Sequence, residues 1–156
     1  MGKEARLALR AAPPLFDPIH VPNIDRVICC GSYDVEVLAA LIGKLKYSGW
    51  SALENVLPEV LEPILKDLPK DAALIPLPLH SRRQRERGFN QAMIIAKALH
   101  EATHLPIADI LRRTRATKQQ AKLSEVERSE NVKDAFVIKA GAKIPQCGII
   151  IDDVIT

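Results

Sequence analysis

No part of the chain holds the ~20 consecutive apolar residues that a membrane-spanning helix needs, so a helical membrane anchor is not expected. A secretory leader is missing too. Met1-Gly2-Lys3-Glu4-Ala5-Arg6 runs into mixed charge with no apolar segment behind it. Together these absences predict a cytoplasmic protein. Cysteine is scarce: Cys29 and Cys30 are adjacent and Cys147 is distant, which gives neither a disulfide framework nor a C-x-x-C pair for zinc. Their neighbours are apolar or small, so the three thiols are expected to be buried as small hydrophobes. Internal repeats and low-complexity tracts are also lacking.

What is present suits one soluble domain with at most a small appendage. The 156 residues are 47% hydrophobic and 26% charged, enough for a real core. Net charge is only +3, but it is unevenly spread. Between Arg82 and Lys122 ten basic residues face three acidic ones, leaving the rest of the chain acidic on balance. Such concentration fits an anionic partner, either nucleic acid or a phosphorylated small molecule, or else a solvated basic face.

The organisation falls into three parts. Residues 1–32 are expected to form an irregular arm, packed or mobile, with Pro13, Pro14, Pro18 and Pro22, followed by a short strand at the apolar run Val27–Cys30. Residues 33–70 are helical in pattern: Val37, Leu38, Leu41, Ile42 and Leu45 share one face. A second helix running from Leu53 to Leu65 contains Pro58 and Pro63, which should kink or split it. Residues 71–156 alternate strand and helix. Ala72–Leu77 is a buried-strand candidate, His80–Gly88 a charged loop, and Asn90–Thr103 a helix with Ala92, Ile95, Ala96, Leu99 and Ala102 inward. Ile107–Leu111 is a second strand, Ser124 caps a short helix with Glu127 in the capping box, and Ala135–Ile138 is a further strand. Cys147–Ile151 is the strongest buried-strand candidate and ends in Asp152-Asp153. The order predicts an α/β fold with a mainly parallel sheet. Ligands of such sheets bind beyond the carboxyl ends of the strands. A basic loop after one strand and a carboxylate pair after another match a phosphorylated sugar with magnesium.

Those residues resemble a known pattern. Ile149-Ile150-Ile151-Asp152-Asp153-Val154-Ile155-Thr156 is similar to the first part of the signature of type I phosphoribosyltransferases. Pro76-Leu77-Pro78-Leu79-His80, Arg83 and Arg87-Gly88-Phe89-Asn90-Gln91 resemble the ComF family. Thr117, Gln120, Leu123, Arg128, Asn131 and Ala135-Phe136 continue the pattern, and Tyr33 with Lys44-Leu45-Lys46-Tyr47 resembles the helical region before the transferase core. Two departures stand out. The cysteine-rich zinc ribbon of many members has no counterpart here, and the glycine and threonine completing the 5-phosphate loop do not follow Thr156. The resemblance thus implies a phosphoribosyltransferase fold incomplete at its C-terminus, inactive as this chain alone.

It also implies a reaction: a nitrogen nucleophile, whose identity the sequence leaves open, displaces pyrophosphate from C1 of phosphoribosyl pyrophosphate. Asp152 and Asp153 would hold the ribose hydroxyls directly or through Mg²⁺. His80, Ser81, Arg83 and Arg87 would face the pyrophosphate, where the guanidinium fork suits phosphate oxygens, and Thr156 would begin the 5-phosphate loop. Arg82 and Arg85 are expected at the surface. Phe89 is expected to pack the helix onto the sheet rather than stack on a base. Arg112–Lys122, with Thr117, Lys118 and Gln120, would be either a loop closing over the sugar phosphate or a plain exposed loop. His100-Glu101-Ala102-Thr103-His104 matches H-E-x-x-H, but Leu105-Pro106 ends the helix at once and no third zinc ligand is evident. The competing expectation is a non-catalytic module for DNA uptake, binding single-stranded DNA or a helicase partner.

Overall fold

The computed structural model describes residues 24–31, 40, 42–43, 56–115 and 134–154. Its elements are α1 (Leu57–Leu61), a 3-10 turn (Glu62–Asp67), β1 (Ala73–Pro76), α2 (Ser81–Arg87), α3 (Gln91–Thr103), β2 (Leu111–Arg113), β3 (Phe136–Ile138) and β4 (Gly148–Ile151). The arm before residue 24, the helix expected over 34–45 apart from residues 40, 42 and 43, and the short helix at Ser124 lie outside the described residues.

The architecture is mixed α/β, with helices packed on a small parallel sheet. β1 is central to it. On one side β1 pairs in parallel with β4, Ala73 opposite Gly148 and Pro76 opposite Ile151. On the other side Leu74 bridges Ile107 in parallel, through Leu74 N–H to Pro106 O and Ala108 N–H to Leu74 O, both 2.8 Å. A strand covered on both edges and both faces reads as an unbroken apolar run, and all four β1 residues are buried. Pro76 offers no N–H to the ladder, which is tolerated because it is the last residue of the strand. Pairing then resumes with Leu77 N–H donating to Ile151 O at 3.0 Å.

From Val56 onward, the pattern expected over 53–65 resolves as a split, and residues 53–55 lie outside the described residues. Pro58 stands in the first turn of α1 and Pro63 in the first turn of the 3-10 segment. There the missing N–H costs nothing, so each proline starts an element instead of bending one. Ile42, Leu57, Val60, Leu61 and Ile64 share a core with Leu74, Ile151 and the inner face of α3. That face holds Ala92, Ile94, Ala96, Ala98 and Leu99, and Ile95 is partly buried against the same core. Ala102, expected inward, is exposed.

Several expectations change in detail. The charged loop His80–Gly88 is largely helix: the His80 ring accepts from the Arg82 N–H at 3.3 Å as N-cap, and Gly88 closes α2 in the left-handed region at φ 79°. A Cβ on Gly88 would meet nothing within 4 Å, so glycine serves the backbone angle there and not a close approach. Ile107–Leu111 is not one strand. Ile107 bridges β1, whereas Leu111 opens β2, which pairs antiparallel with β3. β4 is only half buried: Ile151 lies in the core, while Ile150 is 55% exposed. Side chains alternate across a strand, and among the described residues nothing covers the outer face at Ile150. The three thiols are half-buried and form no disulfide. Cys30 is pushed up to about 11 by burial and then by Cys29, which leaves it an unreactive thiol. Among the described residues no helix is long and apolar enough to cross a membrane.

Candidate functional site

In spatial order the parallel strands run Ile107, β1, β4, so the chain leaves β1 toward one neighbour and later returns to the other. That reversal is a topological switch point, where open α/β sheets leave a crevice at the carboxyl ends of the strands. Because Pro76 lies opposite Ile151, the segments leaving this edge are Leu77–His80 and Asp152-Asp153, side by side. The first is anchored by Asn90. Its Nδ2 donates to Leu77 O at 2.9 Å, while its Oδ1 accepts the Ala92 N–H at 3.2 Å as the N-cap of α3. One side chain thus ties the turn to the helix. Asn90→Ala is expected to cost about 1–2 kcal/mol through the lost cap and the lost bond to Leu77, to be checked by denaturant unfolding.

On α2, Arg83 and Arg87 lie one turn apart and are half-buried, whereas Arg82 and Arg85 are exposed. Arg82 forms an ion pair with Glu86 at 2.9 Å. His80 and Ser81 stand at the start of the helix, and both line an open groove of about 930 Å³. Phe89, Met93 and Leu111 also line it, and Lys97, Arg112, Arg113 and Lys139 add positive charge. Lys139 is engaged by Asp109 at 2.7 Å. Phe89 packs against the core. Arg83, Arg87, Asp152 and Asp153 are not among the groove's lining residues, so the groove meets the strand-end crevice through the His80–Ser81 turn.

The carboxylate pair has its own electrostatics. The Asp153 N–H donates to Asp152 Oδ1 at 2.8 Å. Asp152 keeps an exposed side, yet its carboxyl is crowded by protein atoms. That burial, then the charge of Asp153, raises its pKa to about 6; the Asp153 N–H and the more distant Arg113 pull the other way. A carboxyl whose folded pKa lies above its unfolded value binds extra protons in the fold, so stability falls as pH rises from about 4 to about 6. The same ionisation creates the charge that a cation or a sugar hydroxyl needs. A carboxyl-carbon NMR titration is expected to place Asp152 near 6, and Asp153→Asn should move it down.

Sequence reasoning counted Arg113 in the basic stretch but gave it no role. It ends β2 opposite Phe136, its guanidinium 5.1 Å from that ring's centre. Burial lowers its pKa, the charge of Arg83 lowers it further, and Asp152 opposes both. Alternation along β2 was the available signal, because Arg113 shares a face with Leu111. The expected loop Arg112–Lys122 is corrected in its first part, since Arg112 and Arg113 are strand, held by the β3 ladder, and the Thr114 N–H donates to Ala135 O. Thr117, Lys118, Gln120 and Thr156 lie outside the described residues.

The H-E-x-x-H match has no metal geometry. His100 Nδ1 bonds Leu105 O at 2.8 Å, and His104 is the left-handed C-cap at φ 61°. The described residues hold no group of three or more His, Cys, Asp or Glu able to ligate a metal.

Three relatives place the chain among known proteins. Competence protein F of Haemophilus influenzae (strain Rd) is 31% identical over 144 residues, 86% of this chain and 62% of its own. DNA utilization protein YhgH of Escherichia coli (strain K12) is 30% identical over 145 residues, with the same two shares. Competence protein ComFC of Bacillus subtilis (strain 168) is 36% identical over 59 residues, 38% of this chain and 22% of its own. The chain therefore spans about 62% of the length of the first two. No protein-family profile matches it, and no solved structure matches it significantly.

Proposed function

Since this chain belongs to the ComF family, we propose that it carries a phosphoribosyltransferase-like site that binds phosphoribosyl pyrophosphate with Mg²⁺ and transfers the phosphoribosyl group to a nitrogen acceptor. The observation behind this reading is the β1–β4 register, which sets the Leu77–Ser81 turn beside Asp152-Asp153 at the switch point. The turn leads straight into the arginines of α2, and cations next to adjacent carboxylates suit a ligand with a pyrophosphate on C1 of a ribose and a diol beside it at C2 and C3. The relatives' names supply the setting, competence and DNA utilization.

Two adjacent carboxylates do not make an all-protein cage. They do fit Mg²⁺, which takes one or two carboxylates and fills its other positions with water and substrate oxygens. Asp152 and Asp153 would hold that ion, whose chemistry is to neutralise developing charge on the pyrophosphate. The remaining work belongs to the chain. Arg83 and Arg87 bind the departing phosphates, the Asn90-anchored turn fixes their distance from the ribose, and the carboxylates orient the ribose hydroxyls. No covalent nucleophile is needed, because the attacking nitrogen comes from the acceptor and orientation with charge stabilisation supplies the acceleration.

The test is calorimetric titration of the full-length protein with phosphoribosyl pyrophosphate, with and without Mg²⁺. Magnesium-dependent binding is expected; none at millimolar ligand would end the transferase reading. A second reading has its own observation, the exposed cations Arg82, Arg85, Lys97 and Arg112 within the basic stretch. They suit a module that binds single-stranded DNA or a helicase partner. That module would bind DNA with an affinity falling steeply in salt and indifferent to phosphoribosyl pyrophosphate.

A further inference from the structure

We propose that Arg113 is an anion-binding residue of the same site, holding the pyrophosphate end of the ligand against the His80–Ser81 turn. The inference rests on the reading above and adds a residue from a different element. Three observations converge on it. Arg113 lines the groove together with Pro78, His80 and Ser81, so the end of β2 faces the turn that leaves β1. It is half-buried, and its guanidinium is stacked at 5.1 Å on Phe136, its cross-strand partner. That packing holds a long side chain in one place before any ligand arrives, which lowers the ordering cost of binding. It also lies within charge range of Arg83 on α2 and Asp152 after β4.

The neighbouring cations are less suited. Lys139 is held by Asp109, Arg82 by Glu86, and Arg112, which also lines the groove, is exposed rather than stacked on Phe136. The charge of Arg83 disfavours that of Arg113, and an anion bound at Arg113 would offset that repulsion. A guanidinium suits this task better than an ammonium, since its fork can give parallel N–H bonds to two phosphate oxygens.

The test uses the full-length protein and inorganic pyrophosphate with Mg²⁺ as the probe, read by calorimetry, with phosphoribosyl pyrophosphate in parallel. Arg113→Gln is expected to weaken pyrophosphate binding about tenfold or more, and Arg113→Lys to recover part of that loss. Arg82→Gln should stay within about twofold, because an exposed ion pair contributes little. Thermal midpoints of all three variants separate lost binding from lost folding. Should Arg113→Gln fail to fold, Arg113→Met, which keeps an apolar stem against Phe136 without the charge, replaces it, and wild-type affinity in that variant overturns the proposal. Wild-type affinity in a folded Arg113→Gln also overturns it while leaving the transferase reading intact. Absence of binding by the unmutated protein to either ligand sinks both.

Discussion

Asp153→Asn is expected to remove magnesium-dependent binding of phosphoribosyl pyrophosphate, raising its Kd by about a hundredfold or more, the scale of losing a charged group with its paired bonds. The substitution keeps size and shape, and at a strand end it should leave the fold alone. Its effect is separable from that of Asp152. Asp153 is one of the groups that keep the Asp152 pKa up near 6, so neutralising it makes Asp152 more fully ionised at pH 7. Any loss of affinity in Asp153→Asn is then not a hidden loss of charge on Asp152. Calorimetry at pH 7 with matched thermal midpoints is the measurement. Affinity within twofold of the unmutated protein would show that the second carboxylate does not hold the ligand.

The other large effect concerns stability. Leu74→Ala is expected to destabilise the fold by about 3–5 kcal/mol, the range for a leucine removed from a tightly packed interior. Leu74 is 0% exposed and sits at the middle of the central strand, opposite Ile149 on one side and Ile107 on the other. Its side chain lies in the core shared by α1, α3 and β4, so the cavity would open where three elements meet and none is free to collapse into it. A loss of that size should lower the thermal midpoint by roughly 10 °C or more in a chain of this length. Ile150→Ala, on the exposed side of β4, should cost less than about 1 kcal/mol by comparison. Equal effects from the two would mean that the core has been placed on the wrong face.

Much of this was legible in the sequence, for identifiable reasons. β1 and β4 announce themselves as apolar runs bounded by turn residues, and α3 by its spacing and the Leu105-Pro106 that ends it, because local chemistry alone decides them. The carboxylate pair follows from the second run. What stayed hidden depends on partners distant in sequence. The helix α2 is only seven residues of mostly charged side chains, so no apolar periodicity marks it; its caps His80 and Gly88 define it instead. Arg113 looked like one basic residue among ten, because only pairing with Phe136, more than twenty positions later, shows which of the adjacent arginines turns inward. The half-open state of β4 was unreadable for the converse reason. Ile149-Ile150-Ile151 looks the same whether one face is covered or both.

That open face also bears on how the molecule fails. Gly148–Ile151 is an edge among the described strands, uncharged and rich in β-branched residues, with Ile150 turned outward. Strands of this composition recruit copies of themselves when their pairing loosens. The parallel pairing with β1 therefore does more than aim Asp152 and Asp153. It keeps a self-adhesive ribbon sequestered, so damage to β1 should be followed by precipitation of the opened chain, and unfolding by heat should not reverse on cooling.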